Sequence, residues 1–173
     1  MKTIKYSVSE MINNSDPSSI YIDDIVTGTV QRIYSNRLKK LVDSYFDYRY
    51  FLQYEAEVSG EKFRVKKIFR RGKLWYEGRY EGERKKTIIT YDNWRVGVPE
   101  LYIIQDQLKI KIEKEHEEAS RFYEGDIIIA RWQAIFNEEQ KCFDIELQIE
   151  ESATIQEVAF YVAISQATLF IGA

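Results

Sequence analysis

Residues 157–173, EVAFYVAISQATLFIGA, decide how the rest of the chain must be arranged. From Val158 onward there is no charged side chain, and only Ser165, Gln166 and Thr168 interrupt the apolar run. Read as a helix, the segment is apolar nearly all round, which requires burial on every side. It falls short of the roughly 20 apolar residues that a membrane span needs. Glu157, Ser165 and Gln166 also fit a tail anchor poorly. The stretch therefore predicts a helix over Val158–Ile171 threaded through the protein's own core. Ser152 or Thr154 is positioned to cap it, and Glu157, three residues beyond Thr154, completes a capping-box pattern.

A helix buried on all sides needs apolar faces around it, and the preceding sequence supplies them as strands. In Phe46–Val58, residues Phe46, Tyr48, Tyr50, Leu52, Tyr54, Ala56 and Val58 recur at period two, the spacing of a half-buried strand. Leu108, Ile110 and Ile112 alternate with Lys109, Lys111 and Glu113. Phe143, Ile145, Leu147 and Ile149 alternate with Asp144, Glu146 and Gln148, and Ile127–Phe136 has an apolar face of Ile128, Ala130, Trp132, Ala134 and Phe136. Shorter strands are expected at 2–9, 20–22, 26–34, 62–69, 74–80, 87–91 and 101–105. A short helix is expected over Ser35–Ser44, where Leu38, Leu41 and Val42 follow Ser35 as N-cap.

The joints are tight: Asp23-Asp24, Ser59-Gly60, Arg71-Gly72, Glu81-Gly82, Gly97-Val98-Pro99, Gly125 and Asn137-Glu138. Strands linked this closely pair with their neighbours, giving an antiparallel meander that closes as a barrel or a sandwich. No linker or composition shift divides the chain, so residues 1–173 read as one domain, with Asn13–Ser19 only a loop. At 173 residues the chain is long enough to bury a sizeable core.

The segment Phe122-Tyr123-Glu124-Gly125-Asp126 leading into Ile129-Ala130-Arg131-Trp132, the alternating strand Phe143–Ile149 and the tail Val158–Gly172 together resemble the tubby C-terminal-like superfamily. That group takes in tubby, the phospholipid scramblases and the plant LURP-one-related proteins. The resemblance implies a closed antiparallel barrel of about twelve strands wrapped around a hydrophobic C-terminal helix. It implies a non-enzymatic binding or scaffold role, with contact to anionic phospholipid as a class property. No segment matches tubby's phosphoinositide-contacting basic residues, and no acidic, calcium-loop-like run of the scramblase kind lies near the C-terminus. No functional residue is carried over.

Chemistry-bearing residues are sparse. The single histidine, His116, stands in a polar stretch, and Cys142 is the one thiol, so neither a metal set nor a cysteine–histidine pair with an orienting third group is legible. Sequence-adjacent carboxylates such as Glu150 and Glu151 point to opposite strand faces, while Asp144/Glu146 and Glu55/Glu57 lie opposite the apolar faces. Phosphate-loop, nucleophile-elbow and zinc-helix motifs are absent from the sequence. No catalytic residue, metal or cofactor is expected.

The strongest asymmetry is basic. Residues 62–86 carry eleven Lys or Arg against three Glu, a local charge of +8 in a chain whose net charge is −3. Within it, Lys62, Arg64, Lys66, Lys67, Arg70, Arg71 and Lys73 are the candidate binding residues, interleaved with Phe63, Phe69, Trp75, Tyr76 and Tyr80. They form either a patch for an anionic membrane surface or acidic protein partner, or the wet faces of strands whose lysines guard against edge pairing. The negative net charge speaks against specific nucleic-acid binding. The lone cysteine and the lack of a continuous apolar run in MKTIKYSVSEMINN lead to an expectation of a cytoplasmic protein, peripheral to the membrane if the patch is functional. A lipocalin-like barrel carrying a small apolar ligand is the alternative function. An occupied barrel centre distinguishes the two, because a filled core has no room for a ligand.

Overall fold

The computed structural model describes residues 1–11, 14–46, 50–70, 73–92, 100–114, 119–169 and 171. Its elements in chain order are β1 (Lys2–Ser9), β2 (Ser18–Ile22), β3 (Ile25–Ile33), α1 (Arg37–Phe46), β4 (Gln53–Val58), β5 (Glu61–Arg70) and β6 (Lys73–Tyr80). There follow β7 (Thr87–Asp92), β8 (Glu100–Gln105), β9 (Leu108–Glu113), β10 (Ser120–Glu124), β11 (Ile127–Asn137), β12 (Cys142–Ile149) and α2 (Val158–Thr168).

Each strand pairs antiparallel with its neighbours in sequence, and β12 returns to β1 over the full register Lys2↔Ile149 to Ser9↔Cys142. The meander thus closes into a twelve-stranded barrel with no free edge. Its turns follow from local chemistry. Asp23 and Asp24 both take positive φ, 50° and 63°, between the paired Ile22 and Ile25, the twist that a two-residue hairpin requires. Ser59 (52°) and Gly60 (86°) do the same between Val58 and Glu61.

The expected inward faces hold for Ile110 and Ile112 on β9 and for Ile145, Leu147 and Ile149 on β12, and Ile4, Tyr6 and Val8 on β1 and Phe63 and Val65 on β5 are buried with them. They enclose α2, whose residues from Val158 to Thr168 are buried without exception. Phe160 stacks on Phe63 of β5 with ring centroids 5.1 Å apart, while the adjacent Tyr161 meets Phe122 of β10 edge-on at 5.4 Å. These strands lie across the barrel from each other in the strand order, so α2 runs through the centre. Gln166 Nε2 donates to Tyr6 Oη on β1 at 3.3 Å. Two glycines make room: Phe63 lies across Gly78, and a Cβ at Gly28 would sit 2.0 Å from the Glu57 carbonyl oxygen.

Several expectations are corrected in detail. The long strand Phe46–Val58 is only β4, because α1 continues to Phe46; the buried Asp43 carboxylate then accepts the Tyr50 and Phe51 backbone N–H groups at 3.3 and 2.9 Å and turns the chain. Tyr48 lies outside the described residues. The cap of α1 is Asn36 rather than Ser35: Asn36 Oδ1 accepts the Lys39 N–H at 2.9 Å. Nor does Thr154 cap α2. Glu124 takes both its N–H and its hydroxyl (3.1 and 2.7 Å), and Glu157 stands at the N-cap without a side-chain capping bond. The helix ends at Thr168, three residues short of the expected limit. β10 adds a strand not foreseen, and its pairing with β11 slips between Phe122 and Tyr123, a bulge that turns Ile129 inward beside Ala130. Among the described residues, no helix is long and apolar enough to cross a membrane.

Candidate functional site: the basic end of the barrel

The candidate cations divide into two groups along β5. Lys62, Arg64 and Lys66 occupy its outward face, at period two, and each meets a carboxylate on a neighbouring strand. Lys62 Nζ lies 3.3 Å from Glu57 and 3.6 Å from Glu81, and Lys66 Nζ lies 3.7 Å from Glu77, which Lys86 also approaches at 3.3 Å. Arg64 grips Glu55 through Nη2 and, at 2.8 Å, through Nε, while Gln31 Nε2 donates to the same carboxyl at 2.9 Å. Burial pushes the Glu55 carboxyl up, but the hydrogen bonds from Arg64 and Gln31 and the charges of Arg64 and Lys62 outweigh it and leave it below its ordinary value. The Lys62 ammonium is held above its usual range by its hydrogen bond to Glu57 and by the charges of Glu55, Glu57 and Glu81. These three cations serve cross-strand pairing, and their field is largely cancelled where it arises.

Lys67 and Arg70 stand near the C-terminal end of β5, on either side of the exposed Phe69 in sequence. Lys67 Nζ lies 5.4 Å from the centroid of the Tyr50 ring, and Tyr50 meets Phe69 edge-on at 6.3 Å. Lys39 of α1 caps the neighbouring Phe51 in the same way, again at 5.4 Å. Tyr50 and Phe51 therefore join α1 and the end of β5 in one surface of aromatic rings and cations. Arg71 lies outside the described residues, as does the side chain of Lys73.

The C-terminal end of α2 opens toward Lys114, which follows β9. Its Nζ donates to the Leu169 carbonyl at 3.3 Å and sits 4.3 Å over the Trp132 ring. A cation there complements the helix dipole, yet burial lowers the ammonium to about 8. Neither Lys114 nor the α1 surface is singled out by the sequence reading, because each depends on where a helix end falls in space.

The remaining chemical candidates have structural partners. Asp144 accepts from Ser7 Oγ at 2.6 Å and Asn137 Nδ2 at 3.1 Å, and those hydrogen bonds hold its carboxyl below the usual range. Burial, then the neighbouring Asp144, raises the Cys142 thiol and keeps it protonated. His116 lies outside the described residues. Among the described residues no three His, Cys, Asp or Glu side chains are grouped to hold a metal. A groove of about 550 Å3 lies on the outer surface of β1, β11 and β12, bordered by Lys5, Tyr21, Arg131 and Glu146. It is separate from the α2-filled centre.

The sequence profile of the Tubby C-terminal like domain matches residues 4–171, nearly the whole chain. The chain belongs to the tubby C-terminal-like family. The match runs from the first barrel strand to the end of the central helix, so barrel and helix together are the family's domain. Membership supports a non-enzymatic binding or scaffold fold. Neither the curated proteins nor the solved structures provide a match to this tubby-like chain.

Proposed function

We propose that this tubby-like domain is a peripheral binding module of the cytoplasmic membrane face, contacting anionic phospholipid through the end of the barrel that carries Lys67 and Arg70. The reading rests mainly on the aromatic and basic surface at the end of β5, where Lys67 lies over the Tyr50 ring, Tyr50 meets Phe69 edge-on, and Tyr50, Phe69 and Arg70 are exposed. Cations next to aromatic rings suit a surface with charged head groups above an apolar layer, each basic residue contributing about 1 kcal/mol of attraction. A lipocalin-like role fits less well, since α2 occupies the space an enclosed apolar ligand would need.

The test is co-sedimentation with vesicles of phosphatidylcholine doped with phosphatidylserine, at low and at physiological salt. Binding should weaken as added salt shortens the Debye length to about 8 Å near 0.15 M. Replacing Lys67, Arg70 and Arg71 together with glutamine should reduce it further, while the melting temperature stays nearly constant because exposed charges add little stability. Equal sedimentation of wild type and variant, or none by either, refutes the reading.

A further inference from the structure

The proposal for α1 rests on the membrane reading above and concerns how the contact is made. We propose that α1 is a shallow insertion element, whose stripe of Leu38, Leu41 and Tyr45 enters the interfacial layer of the anionic bilayer that the basic barrel end attracts.

A helix on the surface of a globular protein turns its apolar stripe to the core. α1 does the reverse. At about 100° per residue, Leu38, Leu41 and Tyr45 fall within roughly 60° of one another, with Lys40 and Asp43 on the opposite side. The apolar stripe is the exposed side: Leu38 is 68%, Leu41 64% and Tyr45 81% accessible. The polar side is the anchored one, for Asp43 is wholly buried on the Tyr50 and Phe51 N–H groups, and Lys40 Nζ donates to Ser15 Oγ at 3.0 Å. With Asn36 capping its first turn, this ten-residue helix is held by polar contacts in an orientation that presents its apolar stripe outward. Single exposed leucines are ordinary, but three large apolar side chains exposed along one helical stripe form an interaction surface.

The surrounding charge selects the occupant. Arg37 and Lys39 flank the stripe on α1, and Lys39 and Lys67 lie over the adjacent rings of Phe51 and Tyr50. Two-fold association with a second copy would press this basic rim against itself. The stripe is also far smaller than the roughly 1,200 Å2 that a stable protein interface buries. An amphipathic helix with a basic border matches an anionic lipid surface, where apolar side chains sink about 5–10 Å below the head groups.

The experiment compares wild type, Leu41→Asp and Leu41→Trp on vesicles of phosphatidylcholine and phosphatidylserine, with and without bromine on the acyl chains. Leu41→Asp should bind roughly tenfold or more weakly with an unchanged melting temperature, as expected when a leucine facing lipid becomes a charge. Leu41→Trp should show additional blue-shifted emission that the brominated chains quench, beyond the background from the native tryptophans. If wild type binds with its salt dependence but Leu41→Asp binds equally and Leu41→Trp gains no quenching, insertion is refuted and the charge-based reading stands. If wild type binds neither vesicle, both fail. Concentration-dependent dimerisation abolished by Leu41→Asp, without an effect on vesicles, would overturn insertion in favour of self-association.

Discussion

Replacing Lys114 with methionine should flatten one limb of the protein's pH–stability profile. The Lys114 ammonium is lowered from 10.5 to about 8 in the folded state, with burial as the cause. Between those values the unfolded chain binds more protons than the folded one, so stability rises with pH across that window. At about 1.4 kcal/mol per pKa unit, the full cost of burying the charge is roughly 3 kcal/mol, of which about 2 kcal/mol is relieved between roughly pH 7 and pH 9.5. Cys142, whose thiol is raised, contributes in the opposite direction near the top of this range. The buried Tyr6 and Tyr161 and the half-buried Tyr34 and Tyr80 do so above about pH 10, where only the unfolded chain ionises them. The informative quantity is therefore the difference between wild type and Lys114→Met in urea unfolding across pH 7 to 9.5. It should change by about 2 kcal/mol in favour of wild type as pH rises. Parallel profiles would refute the argument that Lys114 is a desolvated cation at the end of α2.

Three further substitutions probe where stability resides. Phe160→Ala, removing a fully buried ring between Phe63 and Tyr161, should cost about 3–5 kcal/mol in urea unfolding, whereas Leu41→Ala on the exposed face of α1 should stay within about 0.5 kcal/mol. Gly28→Ala should destabilise by at least about 2 kcal/mol in the same assay, because its Cβ meets backbone of β4 that cannot yield without opening the β3–β4 pairing.

The barrel was legible because its physics is local and repetitive. Period-two runs such as Ile145, Leu147 and Ile149 mark inward faces, tight turns force neighbours to pair, and an uncharged helix has only the enclosed space to occupy. Errors arose where a residue's role depends on a partner distant in sequence. The tyrosines before β4 continue the alternation, but the Asp43 carboxylate bends the chain there. Thr154 has the pattern of a capping residue, yet Glu124, 30 positions away, claims it. The basic segment was visible as composition, while the pairing of Lys62, Arg64 and Lys66 depends on which glutamates face β5 across the sheet. Likewise, the spacing of Leu38, Leu41 and Tyr45 announces an amphipathic helix without saying which face meets the barrel.

The central claim is that α2 is the core of the barrel and not an element resting on it, which leaves binding to the outer surface. Native-state amide hydrogen exchange of Val162, Ala163 and Ile164 tests this most directly. These amides should exchange only through global unfolding, with the same free energy and the same urea dependence as inward strand residues such as Val65 and Leu147. Exchange through a local opening that frees α2 while β5 and β12 remain protected would contradict it.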